Sequence, residues 1–368
     1  MVIYRDEYRL YNFGPSHPFS PVRLEMLTSL LQALGVWREP LVPGEATRED
    51  VLSVHSERLV KRVEAASRGE GVPDLEHYGL GTGDTPVFPG MDRAARILVG
   101  GTLEGARRIL AGEKRVLQLG GGLHHAQYDR SSGFCVYNDL SVAIRHLTRA
   151  GLRVAYLDID VHHGDGVQWI HYEEKEVLTL SFHESGRYLF PGTGHVHEIG
   201  RGEGVGRKLN LPLEPFTEDE SYLEVFEALV PWALEAFRPD VLVVQAGADA
   251  HFLDPLATTS SRRRAEICLI PSCLRCPSTS LARSWASFKE KPASSRLLAR
   301  SPLEKGRRFL PWSTRISSKG RVCLESLSAT SSPRARATSS RKTLRRTLGG
   351  TANCPSALSR SSTVWATA

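Results

Sequence analysis

The sequence predicts an α/β fold: a single domain with a mostly parallel sheet and helices on both faces, spanning residues 1–258. Three observations point there. Four β-rich runs, RVLQLGGG, RVAYLDID, EVLTLSFH and DVLVVQAGAD, alternate with stretches of helical period. The runs are nearly continuous in apolar residues, as strands buried on both faces require. Each ends in glycine or polar residues, and open parallel sheets bind ligands beyond the carboxyl ends of their strands.

The elements follow in order. In SHPFSPVRLEMLTSLLQALG, Ser20 is expected to cap a helix with Pro21 at its first position. Leu24, Leu27, Leu31 and Leu34 fall on one face, and Gly35 is the stop. DVLSVHSERLVKRVEAASRG and PGMDRAARILVGGTLEGARRILAGE read as two further amphipathic helices. After Thr258 the periodicity fades, and serine makes up 22 of the last 108 residues. Residues 259–368 are therefore expected to form a basic, unstructured tail.

Composition divides the chain at the same place. Residues 261–368 hold 22 Lys and Arg against four Glu and no Asp, a net of +18. The chain totals of 47 basic and 41 acidic residues leave 25 against 37, or −12, for the first 260. All 13 histidines lie at or before His251, all ten tyrosines at or before Tyr222, and five of six cysteines beyond residue 260. Cys135 alone remains in the body, which suits a reducing compartment. The charged start MVIYRDEYRL is unlike a signal peptide, and no apolar run reaches membrane-spanning length. The expectation is a cytoplasmic protein with no membrane partner.

Three strand ends carry the chemistry. In AYLDIDVHHGDG, Asp158, Asp160 and His162 alternate with apolar residues and are expected on one side of a strand. Such a row is costly to bury without a cation or hydrogen bonds. In VVQAGADAH, Asp249 follows small residues at the end of another strand. Two carboxylates and one imidazole with an open position suit a water-activating Zn²⁺, and they suit Fe²⁺ equally. In QLGGGLHHAQY, His124 and His125 follow three glycines. Paired histidines can serve as general acid and base when carboxylates tune them apart, and Asp158 and Asp165 are available for that.

GGGLHHA, DIDVHHGDG and GADAHFLDPL, with SHPFSPVRLE before them and LFPGTGH between, resemble the zinc-dependent histone deacetylase family. GLGTGDTPVFPGMDRAARILVGGTLEGA and NLPLEPFTEDESYLEVFEALVP make the chain look most like its bacterial acetoin-utilisation branch, over about residues 3–257. The resemblance implies an arginase/deacetylase-like fold and an acetyl-lysine deacetylase, acting on an acetylated lysine or a small acetylated amine. It implies Asp160, His162 and Asp249 as zinc ligands, and His125 with Asp165 as general base and acid. His124 with Asp158 would be the electrostatic pair. Gly133, Phe134 and Phe190 would wall the acyl-lysine channel, with Asp84 at its rim. Asp158 and Ser181, with main-chain oxygens of Asp160 and His162, would hold a structural K⁺. The related binuclear manganese ureohydrolases need further Asp and His ligands, and the HisHis loop with a single Asp-His row favours one metal.

The family's oxyanion tyrosine, borne on a late GGGGY-type loop, has no counterpart, because no tyrosine follows Tyr222. Its loss predicts impaired activity, and loss of the late strands predicts an exposed sheet edge. The Arg, Ser, Ala, Pro and Leu of the tail are what a shifted reading frame of G+C-rich DNA yields. A frameshift is thus preferred over a nucleic-acid-binding tail, whose aromatics are too sparse for stacking, and over a zinc module on Cys273 and Cys276, which lack a second pair.

Overall fold

A computed structural model describes residues 1–257 and the backbone of 362–366. After strand β1 (Val2–Ile3), helix α1 runs over Val22–Ala33. Pro21 takes the cap position, one residue later than expected, and the Ser20 hydroxyl accepts the Val22 amide at 3.3 Å. Leu24 is buried, and Leu27 and Leu31 pack beside it. Leu34 instead lies beyond the last helical turn and is 64% exposed.

The single helix expected over DVLSVHSERLVKRVEAASRG is two. Helix α2 (Arg48–Leu52) opens with a Thr47/Asp50 capping box, and α3 (Glu57–Ser67) is capped by Ser56, whose hydroxyl accepts the Leu59 amide at 3.1 Å. Ser56 inside an otherwise periodic run starts a new helix because its side chain competes for the free amides. Helix α4 (Met91–Leu110) then forms as expected.

The remaining elements alternate: β2 (Arg115–Gln118), α5 (Asp139–Arg149), β3 (Val154–Asp158), α6 (Asp165–Ile170), β4 (Val177–Glu184), β5 (Lys208–Leu213), α7 (Asp219–Phe237) and β6 (Val241–Gln245). The four runs expected as strands are β2, β3, β4 and β6. A last strand, β7 (Ser362–Ala366), completes a seven-stranded sheet of order β1-β2-β7-β6-β3-β4-β5, parallel at every pairing.

Alternation along the strands feeds two apolar layers. Val154, Tyr156, Val177, Val241 and Val243 face Leu140, Ile144 and Leu147 of α5 and Ile109 of α4. Ala155, Leu157, Leu178, Leu180, Leu242 and Val244 face Tyr222, Phe226, Val230, Leu234 and Phe237 of α7. Each fully buried side chain of this size contributes about 1.5–3 kcal/mol relative to exposure, so helices on both faces are the stable arrangement.

The expectation that no strand follows Thr258 does not hold for 362–366. This segment pairs on one side with β2, Leu117 opposite Trp365, and on the other with β6, Val244 opposite Trp365. The sheet edge expected from loss of the late strands is therefore covered at that position. Main-chain ladders accept any β-competent segment, and STVWA is rich in such residues. The described residues belong to one compact unit, Met1–Cys276 with Ser356–Ala368. The rest of the tail, including Cys273 and Cys276, lies outside the described residues. No helix among them is long and apolar enough to cross a membrane.

Candidate active site at the carboxyl ends of the strands

The loops leaving β2, β3 and β6 meet at one end of the sheet, where main-chain groups of the last strand residues are free and glycines let neighbouring loops approach. Asp158 and Gln245 are register partners at the ends of β3 and β6. Strand β3 stops at Asp158, so the expected row of three does not share one strand face. Asp158 turns to His124, whereas Asp160 and His162, on the bends beyond the strand, turn to Asp249.

Asp160, His162 and Asp249 each offer a ligand atom, all within 4.8 Å of one another. His162 Nδ1 lies 3.1 Å from Asp160 Oδ1 and 2.8 Å from Asp249 Oδ2. The Val161 amide donates to Asp249 Oδ1 at 3.0 Å, and Gln245 Nε2 donates to Asp160 Oδ2 at 2.8 Å. A Cβ at Gly247 would run into the Asp160 carboxylate, so the small residue permits the approach. Burial, then the neighbouring Asp160 charge, holds Asp249 up at about 6. For His162 burial acts downward, but hydrogen bonds to the two carboxylates outweigh it and hold the imidazole at about 10. One buried and one half-buried carboxylate held together by one imidazole make a site whose charge calls for a cation, so the donor set fits a divalent metal. Among the described residues this is the one cluster of three or more metal-competent side chains.

Two His-Asp dyads adjoin it. His124 Nδ1 is 2.8 Å from Asp158 Oδ2, which also accepts the Tyr156 hydroxyl, and His124 Nε2 is 3.9 Å from Asp160 Oδ1. His125 Nδ1 is 2.7 Å from Asp165 Oδ1, and the other oxygen of Asp165 accepts Gln127 Nε2 at 2.9 Å. Burial opposes charge on both rings. At His124 the Asp158 and Asp160 carboxylates win and hold the pKa at about 9. At His125 burial and the neighbouring His124 charge win over Asp165, and the pKa is lowered. The arrangement supplies one neutral and one cationic imidazole side by side.

Gly133 and Phe190 pack at His125. Gly133, with φ +54°, lies against its ring, where a Cβ would collide. Phe190 stands edge-on to it at 5.0 Å between centroids, and Phe134 packs on His17 at 4.7 Å. Asp84 reaches this wall from the neighbouring loop, its carboxylate accepting the Gly133 amide at 2.7 Å. Ser181 is the register partner of Asp158 on β4, and its hydroxyl lies 2.9 Å from His183 Nδ1. The three candidate ligands, both His-Asp dyads and Ser181 thus lie at this end of the sheet, with Gly133 and Phe190 against His125. Gln245, Gln127 and Tyr156 bond the charged groups, and amides and phenols carry no signal of their own in the sequence. QAGAD held one clue, since Gln245 is a polar residue ending a buried strand.

The chain matches the histone deacetylase domain over residues 17–266. It is 44% identical over 264 residues to the acetoin utilization protein AcuC of Bacillus subtilis (strain 168), covering 70% of this chain and 68% of that one. The AcuC protein of Staphylococcus xylosus is 39% identical over 263 residues, with the same coverage. Among solved structures, an HDAC homolog complexed with SAHA aligns with a TM-score of 0.67 at 30% identity, covering 73% of this chain and 75% of that one. An HDAC homolog from Aquifex aeolicus aligns with a TM-score of 0.65 at 31% identity, covering 70% and 71%. With its strand ends, its paired dyads and these relatives in agreement, the chain belongs to the histone deacetylase family.

Proposed function

We propose that the chain is a metal-dependent acetyl-amide hydrolase, an acetyl-lysine deacetylase of the acetoin-utilisation type whose turnover is impaired. The observation that carries this reading is the convergence of Asp160, His162 and Asp249 with a neutral and a cationic imidazole. Asp160, His162 and Asp249 would hold Zn²⁺, and Fe²⁺ fits the same donors. The bound cation would polarise the acyl carbonyl and acidify a water beside it.

His125, neutral and held by Asp165, takes the proton of the attacking water at Nε2 and returns it to the departing amine. His124, charged by Asp158 and Asp160, lends its positive field to the oxyanion. Gly133, Phe134 and Phe190 would wall the alkyl stem of an acetylated lysine or small acetylated amine, and Asp84 would mark the rim. Asp158 and Ser181, with main-chain oxygens of Asp160 and His162, would hold a structural K⁺. The lone body cysteine, Cys135, suits a cytoplasmic protein.

No tyrosine follows Tyr222 to donate to the oxyanion, and loss of one such donor costs about 10²–10³ in rate. We read the residues after about Thr258 as out of frame, and the two other frames of the coding DNA test this directly. A GGGGY-like segment in one of them is the expected result. In the assay, the zinc-loaded chain should turn over an acetyl-lysine peptide about 10²–10³ more slowly than the full-length Bacillus subtilis relative. His125→Ala and Asp249→Ala should remove the residue of activity. Equal rates would remove the missing-tyrosine argument, and turnover indifferent to both substitutions would end the hydrolase reading.

A further inference from the structure

The loop that delivers His124 and His125 has no regular structure, and the groups that hold it lie outside both dyads. Asp139, the first residue of α5, is fully buried. Its Oδ1 accepts the Leu123 amide at 2.7 Å, and its Oδ2 accepts the Gly122 amide at 3.1 Å together with the Thr102 hydroxyl. All three donors are neutral, and among the described residues no cation pairs with it. Burial pushes the Asp139 carboxyl up, and the hydrogen bonds it accepts, with the positive end of α5, act against that. Gly121 lies directly against this group, where a Cβ would stand 2.6 Å from Asp139 Oδ2 and 2.7 Å from Thr102 Oγ1.

Neighbouring contacts fasten the rest of the loop. Asn138 Nδ2 donates to Ala126 O at 2.9 Å and to His124 O at 3.3 Å, while its Oδ1 caps α5 through the Ser141 amide at 2.8 Å. The Asn138 amide donates to His55 Nε2 at 2.8 Å, and His55 Nδ1 is 2.8 Å from Gln127 O. From the other side the Val167 amide of α6 donates to His124 O at 3.2 Å. Two consecutive amides converge on one carboxylate immediately before the two histidines.

We propose that Asp139 is a positioning residue for both dyads: its carboxylate sets Gly122 and Leu123, and so places His124 on Asp158 and His125 on Asp165. The role rests on reading those dyads as hydrolytic machinery. A carboxylate is required because every approaching group is a donor, and an amide would turn its own N–H groups toward at least one of them.

The test compares the full chain with Asp139→Asn by NMR. The imidazole N–H protons bonded to Asp158 and Asp165 are assigned by their loss in His124→Ala and His125→Ala. Both resonances should vanish or broaden in Asp139→Asn, and amide exchange at Gly122 and Leu123 should quicken at least about tenfold. A folded Asp139→Asn that keeps both resonances and both exchange rates overturns the proposal. If that variant does not fold, Thr102→Val decides: faster exchange at Gly122 and Leu123 with α7 unchanged supports the role, and unchanged exchange overturns it. Deacetylation is measured in parallel. Loss of the resonances in Asp139→Asn with no hydrolysis by the parent chain retires the proposed activity and leaves the positioning role standing.

Discussion

His124 and His125 are consecutive, equally buried and each bound through Nδ1 to a buried carboxylate, yet their surroundings drive them to opposite protonation states. The difference is a second carboxylate. His124 faces Asp158 and, through Nε2, Asp160, and together they overcome the cost of burying its charge. His125 has Asp165 alone and sits 4.0 Å, ring to ring, from the cation its neighbour has become. Asp160 thus separates the two histidines, holding His124 up while His125 is lowered. Identical side chains can be tuned to opposite charge states when one further carboxylate is placed asymmetrically.

The contrast between the two histidines rests most on Asp160, which has Asp249 beside it. Asp249→Ala should reduce zinc retention more than about a hundredfold, read by competition with a chromophoric chelator, because three ligands become two. Zinc bound to the parent chain should in turn lower the His124 pKa, since the cation engages the Asp160 charge that raised it. Next, His125→Ala should cost about 10²–10⁴ of the residual turnover, the range of general acid-base catalysis, and His124→Ala less. Equal losses would show that the two rings share one role.

The pH dependence sharpens the contrast. His125 must be neutral to take a proton, and its pKa lies below 6.5, so turnover rises as pH climbs through that lower value. His124 keeps its charge until about 9, so turnover falls again beyond it. Asp158→Asn should remove the principal upward influence on His124 and carry its titration down by NMR, narrowing the alkaline limb. The smallest effect is expected at Gln127, whose amide steadies Asp165. Gln127→Ala should lower turnover about fivefold, the equivalent of one hydrogen bond of about 1 kcal/mol.

Legibility in the sequence followed the range of the interactions. Runs such as RVAYLD and DVLVVQ declare buried strands because both faces must be apolar, and β3 and β6 form there. The run over residues 50–69 forms two helices rather than one, because periodicity cannot show that Ser56 captures the Leu59 amide and starts afresh. Strand β5 carries Lys208 and Asn210 on its inner face, and these broke its apolar signal although both are buried through hydrogen bonds to Val177 O and Gln168. Nothing in the sequence singles out Asp139, because only the fold brings Gly122 and Leu123 to it.

The sequence by itself determined the alternation of strand and helix, the metal-competent donors and the twin histidines, since these are written in side-chain type and short spacing. It also determined that no late tyrosine is present. Tertiary structure alone decided that Asp158 pairs with His124 while Asp160 joins His162 and Asp249, and that STVWA lies between β2 and β6. Side-chain pairing across 34 to 87 residues depends on where separate strands end in space, and main-chain pairing depends on which backbone is free to accept a neighbour.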